Sequence, residues 1–305
     1  MRHKVIDLLE QGYDVPDWLF RLGIRWSLGR QSPAKAKDAD WDCAATRQQD
    51  HDVPLGFWQN VLGPRLHYSA CWWPKEARDL ETAEAAMLSF ISERAELGFD
   101  QDILDFGCGW GALALWMAEF YPDSRVVAVS DSHAQRVFIA ARCRERGFGN
   151  VAISTIDAIN LFESHRFDRV MLGEGFESMR GYPELGKQLT TWLKPGGKLF
   201  LHGITRRQGA NPPEDDWLPL FQDGLKLENQ WCFDGRHYQR TLNAWLAQQD
   251  RQRGTIMALF RDRYGSEQAA RRFQRWRRFF MTRAEVFGYR AGQAWAIGHY
   301  RFVKP

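Results

Sequence analysis

Cysteine is scarce and scattered. The five thiols, Cys43, Cys71, Cys108, Cys143 and Cys232, include no CxxC pair, which excludes a disulfide framework and a zinc-ribbon spacing. A reduced compartment follows, and no metal site is expected. Long apolar runs are missing too, since nothing approaches the roughly 18 consecutive apolar residues of a membrane span. The stretch Met1 to Leu22 mixes acids and bases throughout, unlike a secretory leader. A soluble, cytoplasmic protein is the expectation. Charge of one sign is not in excess either: 41 basic side chains face 38 acidic ones, for a net +3. Net charge therefore gives no reason to expect a nucleic-acid partner. What the 305 residues do hold is apolar material, 44% hydrophobic and 14% aromatic with 14 tryptophans. That suffices for a sizeable core in one large domain or two small ones.

Two short amphipathic stretches, Val5 to Gln11 and Trp18 to Leu28, precede a polar, lysine-bearing segment from Gly29 to Asp52 that reads as a loop or flap. Helical spacing from Leu80 to Leu97 predicts a helix packed on a sheet. An alternation then sets the fold class. Apolar runs at Ile103–Phe106, Val126–Val129, Val151–Thr155, Phe167–Leu172 and Lys198–His202 are separated by helical patterns at Ala112–Phe120, His133–Arg146 and Tyr182–Leu193. Strands buried on both faces between helices of ordinary length indicate a parallel α/β sheet. From Arg206 to Phe287 the rhythm breaks into a Pro/Asp-rich loop and two long arginine-rich helices, which read as an insertion over the ligand edge. Ala294 to Val303 closes the chain as a final strand, expected antiparallel.

Asp105-Phe106-Gly107-Cys108-Gly109-Trp110-Gly111 follows the first strand and opens a helix, so three glycines let backbone approach a ligand where helix N–H groups point outward. Tight helix–strand packing alone is the other reading of such a turn. With an acid at the strand end and GxGxG spacing, the segment resembles motif I of the class I S-adenosylmethionine (SAM) methyltransferases. The second strand ends Val129-Ser130-Asp131-Ser132-His133-Ala134-Gln135, with serine where an acid normally holds ribose hydroxyls. This is similar to the S-x-S-x-x-Q signature of the cyclopropane fatty acid synthase and coclaurine-type N-methyltransferase branch. Asp157 then falls beside the adenine, or serves as a helix cap.

The resemblance extends from about Pro54 onward and is nearest the coclaurine N-methyltransferase-like group. It is carried by Tyr68-Ser69-Ala70-Cys71-Trp72-Trp73, the block Ile103 to Glu119, Phe176-Glu177, Trp192 to Gly197, His237-Tyr238 with Thr241 and Trp245, and Trp276 to Trp295. It implies an α/β, Rossmann-like class I methyltransferase fold with a mostly parallel seven-stranded sheet, an N-terminal helical extension and an inserted helical lid between the fifth strand and the final one. The expected divisions are an N-terminal helical and cofactor-covering segment 1–79, a SAM-binding core 80–204, a lid 205–287 and a final strand 288–305. It also implies SAM as methyl donor, S-adenosylhomocysteine as product, and transfer to a small amine. Methylation or methylene addition on an unsaturated lipid chain is the alternative, and a SAM-binding protein without catalysis a third.

On this resemblance Asp105, Gly107, Gly109, Gly111, Ser130, Ser132, Gln135 and Asp157 hold the cofactor, with Tyr68 and Ser69 closing over its methionine end. Glu177 positions the acceptor or removes its proton, Glu174 attracts a cation, and His202 and Tyr238 complete the catalytic set. Cys71, Trp72, Trp73 and His237 line the acceptor site. Two glutamates capping the following helix are the plainer reading of Glu174 and Glu177. Core packing serves equally for the tryptophans and His237. The lipid synthases usually carry glycine at the Glu174 position, whereas a second carboxylate suits a cationic amine. Against this, Cys71, Glu177, His202, Ile204 and Tyr238 fall on or beside positions that hold a bicarbonate ion in those synthases, so bicarbonate stays open as a cofactor. Two departures bear on the acceptor: Ser178 stands where the coclaurine-like pattern has histidine, and the stretch from Trp217 to Phe221 is shortened.

The run Arg271 to Arg278 places arginines around most of a helix. Such a helix is solvated, paired with acids, or rests on anionic headgroups; peripheral membrane contact is not expected. The partner implied is a small-molecule acceptor, and a homodimer is left open.

Overall fold

In the computed structural model the described residues are 16–30, 53–155, 166–174, 183–206, 221 and 224–305. In chain order they form α1 (Asp17–Arg30), α2 (Leu55–Val61), α3 (Leu80–Arg94), β1 (Asp102–Phe106), α4 (Ala112–Phe120), β2 (Arg125–Val129), α5 (His133–Arg146), β3 (Val151–Ser154) and β4 (Phe167–Leu172). There follow α6 (Pro183–Trp192), β5 (Leu193–Arg206), β6 (Lys226–Asp234), α7 (Arg236–Arg251), α8 (Arg253–Tyr264), α9 (Ser266–Gly288) and β7 (Trp295–Val303). The first stretch read as amphipathic, Val5 to Gln11, and most of the Gly29–Asp52 segment lie outside the described residues.

The strands join one seven-stranded sheet in the order β3-β2-β1-β4-β5-β7-β6. β1 through β5 pair in parallel, and β7 runs antiparallel to both β5 and β6. Alternation along the strands gives the sheet two apolar faces. Ile103, Met171, Phe200 and Ile297 enter one core, which continues into the helices around Phe57, Trp245 and Phe273. Leu104, Val170, Leu172, Leu199 and Leu201 enter a second core with Phe302. Both α4 and α5 have the bounds the sequence predicted, because their ends are marked: Ser132 caps α5 from the front and Gly147, at φ 70°, closes it behind.

One expectation is corrected. Among the described residues of the segment from Arg206 to Phe287 there are the strand β6 at the sheet's edge and then three helices rather than two, so those helices lie between β6 and β7; the loop expected at 211–216 lies outside the described residues. β6 begins Lys226-Leu227-Glu228-Asn229-Gln230, with most of these side chains exposed. A solvated edge strand offers the polar composition of a loop.

The inserted helices pack onto the segment before α3 through aromatic side chains, Phe57 on Phe260 at 5.4 Å and Trp58 against Trp276 at 5.2 Å between ring centroids. α1 is tied to α9 by charge. Arg277 bonds Asp17 of α1 at 2.7 Å and Asp250 of α7 at 2.5 Å, while the buried Glu285 accepts from Arg21 and Arg25. The basic helix is thus partly paired with acids, one of its three expected forms. No helix among the described residues is long and apolar enough to cross a membrane.

Candidate active site

The glycine loop is fixed before any ligand is considered. The N–H groups of Gly107 and Cys108 both donate to the carbonyl of Val129 at 3.0 Å, which pins the turn after β1 to the end of β2. Gly107, Gly109 and Gly111 have φ values of 77°, 55° and 79°, a region costly for other residues. At Gly107 and Gly109 a Cβ would meet nothing within 4 Å, so the backbone faces open space; at Gly111 it would fall 2.6 Å from Ile139 Cγ1. Two glycines therefore leave room for a ligand and the third lets α4 and α5 approach. Asp105, at the end of β1, is 4% exposed and its Oδ2 finds no hydrogen-bond partner among the described residues. Burial, opposed by the Ala114 N–H, pushes its carboxyl up to about 7. An orphaned buried carboxylate beside an open glycine cradle fits a ligand that brings an ammonium donor, as the methionine end of SAM does.

At the end of β2 the serine and glutamine of the predicted signature meet. Ser130 is buried, donates to Gln135 Oε1 at 2.6 Å and accepts from the Ser132 N–H at 3.0 Å. Ser132 itself accepts from the Gln135 N–H and caps α5. Of the two serines, Ser132 is spent on the helix, and Ser130 organises Gln135. Asp157 lies outside the described residues, as do Glu177, Ser178 and Trp217.

Glu174 follows β4, one residue past Gly173. Since Phe106 is in register with Leu172, this places it next to the glycine loop. Its carboxylate gathers four donors. Oε1 accepts from Ser69 Oγ at 2.6 Å, from the Ala70 N–H at 3.0 Å and from His202 Nε2 at 3.2 Å; Oε2 accepts from the Tyr238 hydroxyl at 2.9 Å. Burial works against the charge, yet the bonds from His202, Ser69 and Ala70 outweigh it and hold the Glu174 carboxyl below its ordinary value. Tyr238 shifts the other way: burial and the Glu174 charge raise its phenol well above normal, so it donates rather than ionises.

Ser69, expected with Tyr68 over the methionine end of the cofactor, bonds both Glu174 and His202. His202 and Tyr238, two groups that the resemblance assigned to a bicarbonate ion, are engaged by a carboxylate of the chain itself. Trp72 stacks on Phe90 at 5.2 Å and on His237 at 4.1 Å between ring centroids. His237 Nδ1 accepts from the Trp73 N–H at 3.1 Å, and Trp73 Nε1 donates to Thr241 at 2.9 Å. Cys71 is fully buried, its N–H bonds Thr241, and burial holds its thiol well above its ordinary pKa. Through Thr241 and His237 the segment 71–73 is tied to α7.

Residues 40–217 match the family model described as mycolic acid cyclopropane synthetase. The chain belongs to this cyclopropane synthetase family. Among its relatives, (S)-coclaurine N-methyltransferase of Thalictrum flavum subsp. glaucum is 32% identical over 280 residues, spanning 84% of this chain and 78% of the relative. The protein of the same name from Papaver somniferum is 31% identical over 277 residues, spanning 83% and 79%. A crystal structure of coclaurine N-methyltransferase bound to N-methylheliamine and SAH superposes with a TM-score of 0.84 at 28% identity, covering 99% of this chain and 98% of that one. The class I methyltransferase fold expected from the motifs is therefore the one found. In this member of the cyclopropane synthetase family, sequence reasoning missed His299, which faces His202 across the sheet, and Arg94 behind it. The usable signal was a histidine inside the apolar run Ala294 to Val303.

Proposed function

We propose that this protein transfers the methyl group of SAM to the nitrogen of a small amine, and that the buried Glu174 carboxylate carries that reading. A carboxylate held ionised by four donors at the ligand edge favours a cationic partner and does nothing for an uncharged alkene. The coclaurine N-methyltransferase relatives support the same assignment. SAM supplies an electrophilic methyl on sulfur, for which Asp105, Gly107, Gly109, Ser130 and Gln135 are the holding residues and Asp157 the adenine-side one.

Transfer to an amine mostly requires alignment and a free lone pair. The amine arrives protonated, is attracted by Glu174, and must lose its proton before it reacts. With four donors on its oxygens Glu174 stays ionised, so it holds the ammonium form while the proton leaves to water. Glu177 is assigned to acceptor positioning or to the same proton. Lipid alkene modification is the second reading, favoured by the family model, whose name is that of a cyclopropane synthetase. The deciding experiment offers purified protein and SAM either aromatic alkylamines or unsaturated phospholipid vesicles, and records S-adenosylhomocysteine and product mass. A gain of one CH2 on an amine upholds the proposal; the same gain on an acyl chain replaces it with the second reading. SAM binding without turnover of either pool leaves a SAM-binding protein without catalysis.

A further inference from the structure

Behind Glu174 a line of hydrogen bonds crosses the sheet, and its polarity is fixed at the far end. Arg94, the last residue of α3, has Nη1 2.9 Å from His299 Nδ1. A guanidinium only donates, so His299 Nδ1 is the accepting nitrogen and the ring proton sits on Nε2. That Nε2 is 2.7 Å from His202 Nδ1, which must accept in turn. His202 therefore carries its proton on Nε2, facing Ser69 Oγ at 2.8 Å and Glu174 Oε1 at 3.2 Å. Ser69 accepts and passes its own proton toward Glu174 Oε1 at 2.6 Å. A second proton on either ring would set N–H against N–H, His299 against Arg94 or His202 against His299. His202 and His299 are register partners on β5 and β7, so the backbone holds the rings in place.

We propose that Arg94, acting through His299, is a positioning residue that fixes His202 as a neutral imidazole donating from Nε2 toward Glu174. His202 is thereby one of the donors that keep Glu174 an anion for an arriving ammonium, a consequence that rests on the amine reading above.

The surroundings suit a permanent donor. Arg94 lies over the ring of Phe90 at 3.9 Å and near those of Trp231 and Phe233 at 5.1 and 5.9 Å. Burial, opposed by Glu93, lowers its guanidinium to about 10, which leaves it cationic in the neutral range. Burial, with the Arg94 charge beside it, holds His299 well below its ordinary value. The other titratable groups facing His202 are Glu174 after β4, Tyr238 of α7, which bonds Glu174, and His67, with its ring 6.3 Å away. His67 is itself lowered to about 4, chiefly by burial, and carries no charge across the neutral range.

Nitrogen-15 NMR of the histidine-labelled full chain, assigned with His202→Asn and His299→Asn, reads the proton on each ring nitrogen without any acceptor. The expected result is Nε2–H on both rings at neutral pH, retained in Arg94→Lys and lost in Arg94→Met or His299→Leu. In those last two variants kcat/KM for an amine should fall by about tenfold with SAM affinity within about twofold, a pattern that general loss of stability does not produce. An Nδ1–H signal on either ring of the unaltered protein overturns the proposal. So does an Arg94→Met protein that unfolds at the unaltered temperature and keeps both tautomers. If no amine is methylated at all, the functional reading falls while the ring protons still decide this one.

Discussion

Ser69 Oγ and Glu174 Oε1 stand 2.6 Å apart although 105 positions separate them in the chain. The bond joins the segment ahead of α3 to the end of β4, and it sets the acid where β1 and β4 meet the glycine loop. Replacing Glu174 by Gln keeps the shape but turns one acceptor oxygen into a donor against Ser69, Ala70 or Tyr238. The expected outcome is a fall in kcat/KM for amines of about 100-fold or more, with SAM affinity within a few fold. Steady-state kinetics beside calorimetric titration of SAM checks both parts.

Asp105 gives a pH prediction whose sign follows from its orphaned oxygen. Its folded pKa, about 7, lies above the ordinary carboxylate value, so the folded state binds more protons than the unfolded one between the two. Stability of the ligand-free protein is unaffected below that window, falls as pH rises through it and is level above. Asp105→Asn should remove the fall and raise stability by roughly 1 to 3 kcal/mol at mildly alkaline pH. It should also weaken SAM binding. Thermal unfolding against pH, without and with SAM, separates the two effects.

The two serines after β2 should part company. Ser132→Ala removes a helix cap and should cost about 1 kcal/mol of stability with little change in SAM affinity. Ser130→Ala releases Gln135 and should lower SAM affinity at nearly unchanged stability. Equal effects from both would mean that Ser132 touches the cofactor after all.

Gly111→Ala combines a left-handed backbone with a Cβ 2.6 Å from Ile139. A loss of roughly 1 to 3 kcal/mol is expected. Denaturant unfolding measures it, and Gly147→Ala, at φ 70° with open space around its Cβ, is the control for backbone strain alone.

Much of this was written in the chain in short-range form. The alternation of apolar runs with helical patterns placed β1 through β5, because strands buried on both faces carry little polar material. The bounds of α5 were read to the residue, and the fold shows the Ser132 cap and the left-handed Gly147 that set them. What escaped has a physical cause. β6 is an edge strand whose polar residues face solvent, so its composition is that of a loop. Arg94 and His299 are 205 positions apart, and a donor chain has no signature until the sheet brings its members together. The likeness carried by Tyr68 to Trp73 assigned Ser69 to the cofactor, and its bond to Glu174 is visible only in the fold. Glu177 and Asp157 remain assigned on likeness alone.

The strand order has a consequence for how the sheet is built in time. Among the described residues β6 pairs with β7 alone, and β7 pairs with β5 on its other side. During synthesis, residues 226–234 emerge some sixty positions before the strand that will hold them, and three helices must collapse in between. The edge of the sheet, the His202–His299 contact and the far half of the site can therefore close only once residues 295–303 are released. That makes β7 the keystone of assembly, and its pairing the step at which a half-made chain is most exposed to capture by a chaperone or by another unfinished copy.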